Sequence, residues 1–169
     1  TFSRRISIND DYLFTFEDSV TSTLASDVTL YPYGLVRRHG TPATTGMYIL
    51  HEGPLGVFDE TLTEEDYGDL RDAGANGIKI IPEKAGGWVG ITDKYWLAAL
   101  LPTQTKSYNF GFQSLAGDND RYQVDFIDPN GMLLVNGSTV TSQSRLFAGA
   151  KKVAPVSYTH LTLPTTYGV

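Results

Sequence analysis

Tyr108-Asn109-Phe110-Gly111-Phe112-Gln113, followed by Tyr122-Gln123-Val124-Asp125-Phe126, decides the class of fold. In both stretches aromatic or branched side chains alternate with polar or small ones, the period-2 pattern of a strand with one buried face. Between them, Gly117-Asp118-Asn119-Asp120 supplies residues that tolerate unusual backbone angles, so the pair reads as a hairpin. The same pattern recurs toward the N-terminus. Phe2, Ile6 and Ile8 share a face opposite Ser3, Arg5 and Ser7; after a turn at Asn9-Asp10-Asp11, Tyr12, Phe14 and Phe16 do the same, which predicts another hairpin. Val28 to His39 is also β-rich but changes phase at Tyr31-Pro32. A proline has no N–H for a sheet ladder, so this point predicts an edge, a bulge or a change of sheet.

Met47 to Leu50 and Tyr95 to Leu101 are further apolar runs of strand length. Asp128-Pro129-Asn130-Gly131 suits a type I turn. Asn136-Gly137 predicts a two-residue hairpin joining Met132–Val135 to Thr139–Phe147. A single helix start is expected at Thr63-Glu64-Glu65-Asp66, a capping box with Leu62 and Tyr67 as its staple, and Gly68 and Gly74 would confine the helix to about two turns. The sum is one all-β domain, an antiparallel sandwich with one short helix and no internal repeat.

Composition narrows the function. An apolar share of 41% and an aromatic share of 12% in 169 residues exclude a disordered chain. A net charge of −6 lacks the basic field that phosphate backbones require, so no nucleic acid partner is expected. Without cysteine there is no disulfide framework, thiolate metal site or cysteine nucleophile. No apolar run approaches the roughly 18 residues of a membrane span. The chain opens on Thr1 in a strand-like pattern, which implies that an upstream segment has been removed and that the N-terminus does not report localisation.

Candidate chemistry is sparse. His39, His51 and Glu52 could serve a sugar epimerase as acid, ring-oxygen polariser and base, or could be ordinary strand-end residues. Two imidazoles are too few for a zinc site, and Asp118, Asp120, Asp125 and Asp128 lack the glycine and terminal glutamate of a calcium loop, so no metal or other cofactor is expected. Asn136-Gly137-Ser138 fits a glycosylation acceptor but is equally explained as a turn. Trp88, Tyr95 and Trp96 either line a ligand groove or anchor the core. No nucleophile elbow, phosphate loop or dinucleotide fingerprint is present.

Longer phrases carry a family resemblance. Gly86-Gly87-Trp88-Val89-Gly90-Ile91-Thr92-Asp93-Lys94-Tyr95-Trp96-Leu97-Ala98-Ala99-Leu100-Leu101-Pro102 resembles a segment of the YidC membrane-protein insertase family in which Gly-Gly-Trp leads into a strand ending in proline. In the right order, Val28 to Val36 with His39-Gly40-Thr41-Pro42, Tyr48 to Gly53, and Arg145-Leu146-Phe147-Ala148-Gly149-Ala150-Lys151 are similar to the family's alphaproteobacterial form. The resemblance covers residues 1 to 153. It implies part of the large periplasmic domain, folded as a twisted antiparallel β-supersandwich of the galactose-mutarotase-like kind, at the periplasmic face of the inner membrane. It further implies no enzymatic chemistry, insertion by a membrane-embedded bundle outside this chain, and contacts with the Sec translocon's accessory subunits and nascent inner-membrane proteins.

After Val153 the resemblance stops. Ala154 to Val169 carries no charged residue and two prolines, and its Ser157-Tyr158-Thr159-His160-Leu161-Thr162-Leu163-Pro164-Thr165 phrase resembles translated sequencing adapter. Residues 154–169 are therefore expected to be a non-native tail. Three functional expectations follow: an insertase domain acting through protein contacts, a carbohydrate-binding or aldose-epimerase-like sandwich using His39, His51 and Glu52, or a plain spacer. For the first, the phase break makes Tyr31, Pro32, Tyr33, Gly34, Leu35 and Val36 the expected partner-facing edge.

Overall fold

The computed structural model describes residues 1–43, 51–73, 78–115 and 120–151. Thirteen strands and one helix follow in order: β1 Phe2–Ile8, β2 Leu13–Thr21, β3 Val28–Leu30, β4 Tyr33–His39, β5 Gly53–Phe58, β6 Thr61–Glu64, α1 Tyr67–Asp72, β7 Ile78–Ala85, β8 Trp88–Thr92, β9 Trp96–Pro102, β10 Ser107–Leu115, β11 Arg121–Ile127, β12 Met132–Leu134 and β13 Thr139–Ala150. They form a seven-stranded sheet in the order β1-β2-β13-β9-β8-β5-β6, a four-stranded sheet in the order β4-β11-β10-β7, and a small pair, β12-β3. Every pairing is antiparallel. The expected all-β sandwich with one short helix is the observed architecture.

Alternation explains how the layers meet. Tyr108, Phe110 and Phe112 of β10 and Tyr122, Val124 and Phe126 of β11 turn one face of the small sheet onto Val89, Ile91 and Leu100 of the large one, and all are buried. Aromatic rings dominate this layer. Phe58 stands 4.7 Å from Phe110, Tyr108 meets Phe126 edge-on at 5.4 Å, and Tyr67 of α1 lies 4.4 Å from Tyr122. Each such side chain contributes about 1.5–3 kcal/mol by leaving water. A second cluster, Leu55, Trp88, Leu97, Ala99, Leu101 and Phe147, occupies the opposite face of the large sheet. Close approach of β8 and β9 depends on Gly90, where a Cβ would stand 2.5 Å from the Ala98 carbonyl oxygen.

Pro32 marks a change of sheet: β3 before it pairs with β12, and β4 after it pairs with β11. Two expectations are corrected. The Asn136-Gly137 turn forms, with the Ser138 N–H donating to Val135 O at 3.1 Å and Gly137 at φ +73°, but the strands it joins do not pair with each other. β12 goes to β3, whereas β13 inserts between β2 and β9. The helix begins at Tyr67 behind Asp66, with no side-chain cap, because Thr63 and Glu64 are drawn into β6 beside β5. Gly68 lies inside it. The Met47–Leu50 run, Gly74, turn residues 117–119 and the tail 154–169 lie outside the described residues. Among the described residues, no helix is long and apolar enough to cross a membrane.

Candidate functional site

Among the described residues β4 pairs only with β11, so one side of its backbone is an open edge. Its alternate residues serve two surfaces. Gly34, Val36 and Arg38 face the interlayer, where Val36 packs on the main core, while Tyr33, Leu35, Arg37 and His39 face outward and are exposed. Of the sequence-predicted edge, Tyr33, Gly34, Leu35 and Val36 lie in β4; Tyr31 and Pro32 form the crossover, with Pro32 O accepting from the Asp128 N–H at 2.9 Å.

Beside this edge runs an open groove of about 340 Å³. Val36 and Arg38 form one wall, Ile91, Asp93, Trp96 and Ala98 of the β8–β9 hairpin form the other, and Ala148 and Gly149 of β13 line it further. The lining surface is mostly apolar, with Arg37, Arg38 and Asp93 as its charged members. Its one ion pair joins Arg38 to Asp93, N–O 2.5 Å, with both side chains partly exposed. Tyr67 lies next to this pair; its hydroxyl is buried without a hydrogen-bond partner, and burial pushes its pKa up to about 12. Glu52 accepts from the Lys94 N–H at 3.1 Å, and burial holds the Lys151 ammonium pKa below its usual value against the pull of Glu52 and Asp93.

The outward face of the small sheet carries a polar array. Buried Gln123 accepts from the Arg37 guanidinium at 2.5 and 3.1 Å and donates to Asp125 Oδ2 at 2.6 Å. Gln113 donates to the same oxygen at 2.9 Å. Burial raises the Asp125 pKa, and the donors from Gln123 and Tyr33 partly offset it. These groups satisfy one another, consistent with a structural role.

The two imidazoles lie on or beside different sheets. His39 lies on the outward face of β4 in the small sheet, opposite Arg121. His51 precedes β5 of the large sheet, and its ring Nε2 is 3.0 Å from Pro54 O, to which it donates. Glu52 joins the β8–β9 tip instead. Asp120 binds Thr41 and Arg71, while Asp128 Oδ1 accepts from the Asn130 and Gly131 amides. Among the described residues no three His, Asp or Glu side chains converge as a metal site. Trp88 is core, whereas Tyr95 and Trp96 are exposed. Sequence reasoning missed the groove itself, because its walls come from three distant parts of the chain.

Fold and site together define an antiparallel β-sandwich domain with an open edge strand beside a largely apolar groove. The chain belongs to the YidC periplasmic domain family, whose model matches residues 1–169. It is 44% identical over 158 residues to the membrane protein insertase YidC of Nitrobacter hamburgensis, covering 92% of this chain and 25% of that protein. It is 42% identical over 158 residues to that of Bradyrhizobium diazoefficiens, covering 92% and 24%, and 39% identical over 149 residues to that of Rickettsia felis, covering 88% and 26%. The chain thus spans about a quarter of the length of the curated relatives it matches. Its place is the periplasmic face of the inner membrane.

Proposed function

We propose that this domain supports insertion of inner-membrane proteins non-catalytically, by docking an extended segment of a nascent substrate or of a Sec translocon accessory subunit along β4. The observation that carries this reading is the open β4 edge backed by the groove. An edge strand offers unpaired N–H and C=O groups to an added strand, and a largely apolar groove beside it can take alternate side chains of that strand. Residues 1–153 form the functional part, and residues 154–169 are foreign to it.

The test uses the full-length parent protein with photo-crosslinkers replacing Tyr31, Tyr33 or Leu35, each exposed, and Arg5 of β1 as the control position. Adducts with a stalled inner-membrane substrate or a Sec accessory subunit, from the first three positions and not from Arg5, are the expected result. Absence of adducts from all three, with insertion intact, counts against the edge.

A further inference from the structure

We infer that the tip of the β8–β9 hairpin is a membrane-surface contact, seating Lys94, Tyr95 and Trp96 in the headgroup layer of an anionic bilayer. Tyr95 is 64% exposed and Trp96 62% exposed, although the other tryptophan of the chain, Trp88, is 1% exposed. Tyr95 and Trp96 are adjacent in sequence at a turn, and their exposures are the largest among the exposed aromatic rings of the described residues. Each ring has an apolar body and one polar atom, the combination that favours the boundary between acyl chains and water. The Lys94 ammonium sits 5.1 Å from the Tyr95 ring centroid, so a cation accompanies the aromatic pair.

The tip is rigid. The Asp93 N–H donates to Trp96 O at 2.9 Å, closing the turn, and the single Thr92 hydroxyl proton is shared between Asp93 O at 3.2 Å and Trp96 O at 3.3 Å. The Lys94 N–H is held by Glu52, the Asp93 carboxylate by Arg38, and Tyr95 O by the Lys151 N–H at 2.9 Å. The two carboxylates nearest the tip are engaged by the domain's own donors, and Lys94 puts positive charge beside the Tyr95 ring. The whole chain, by contrast, carries a net charge of −6. Lys94 beside the aromatic pair gives this end of the molecule a local complementarity with anionic headgroups, which would orient the domain on the membrane where its family resides.

The 169-residue chain is mixed with vesicles of phosphatidylethanolamine and phosphatidylglycerol, or of phosphatidylcholine alone, and followed by flotation and tryptophan emission. Trp88, being buried, is a constant background, so a blue shift and quenching by brominated lipid report Trp96. Flotation with the anionic vesicles that weakens in high salt is expected, with little on phosphatidylcholine. Lys94→Glu should bind about fivefold or more weakly, given the usual worth of one lysine near such a surface. The double variant Tyr95→Ala/Trp96→Ala, altering exposed side chains only, should lose roughly tenfold or more and keep its β-sheet circular dichroism. The inference fails if the emission does not respond to anionic vesicles. It fails equally if the double variant floats like the parent, which would assign binding to residues elsewhere, such as 154–169. A Trp96 shift produced by a soluble apolar peptide but not by vesicles would make the tip part of the peptide groove and overturn it too.

Discussion

Asp125 shows how a single side chain can set a pH response without any catalytic role. Its carboxylate is buried on the outward face of β11 and receives only neutral donors from Gln113, Gln123 and Tyr33. Burial raises its pKa, so the folded state holds the proton more tightly than the unfolded state does. Between the ordinary carboxylate pKa and the raised folded value, the native state binds more protons, and stability falls as pH rises through that window. Asp125→Asn is expected to abolish this slope, leaving the variant's urea midpoint flat where the parent's declines. A parent midpoint that instead rises through the same window would show that another carboxylate governs it.

At the scale of elements, the β5–β6 hairpin stores local strain. Asp59 and Glu60 both adopt left-handed backbone, φ 52° and 61°, as a type I′ turn requires, yet neither is the residue that tolerates it best. Asp59→Asn/Glu60→Gly supplies the preferred pair and is expected to stabilise the chain by about 0.5–1 kcal/mol in urea unfolding. A neutral or destabilised double variant would show that the Asp59 side chain, 3.9 Å from the Lys84 ammonium, matters more than the backbone. Elements whose partner follows directly in sequence were legible: β1 with β2, and β10 with β11, both by alternation and a turn. The pairing of β13 was not, because Asn136-Gly137 signals only that the chain reverses, and the partners of β13, namely β2 and β9, lie far upstream. The helix start was misplaced for a related reason. Thr63-Glu64 satisfies a capping box locally, but the ladder with Leu55 and Gly56 takes those residues first.

For the whole molecule, a break at Pro32 could be read as an edge, a bulge or a change of sheet, since a residue without an N–H must interrupt a ladder, and a change of sheet is what forms. The groove could not, since Val36, Ile91 and Ala148 meet only after both sheets have formed. Nor could the Arg38–Asp93 pair, whose partners lie 55 residues apart. Deletion of residues 154–169 is expected to change Tm by less than about 3 °C, equivalent to under about 1 kcal/mol for a chain of this size. A larger drop in a thermal melt would show that the tail packs on the domain and belongs to it.

The strand order of the large sheet has a consequence in time. β13 lies between the first hairpin and β9, so the two halves of that sheet stay separate until β13, the last strand among the described residues, is available. In a polypeptide that crosses a membrane from its N-terminus onward, β2 must wait on the far side with an unpaired edge while more than a hundred further residues arrive, as the spacing from Thr21 to Thr139 requires. Such non-local closure is slow and leaves the early hairpin open to proteases and to holding factors until export is complete. The first hairpin therefore joins the rest of the large sheet only through β13, although the main aromatic core between the sheets does not require it.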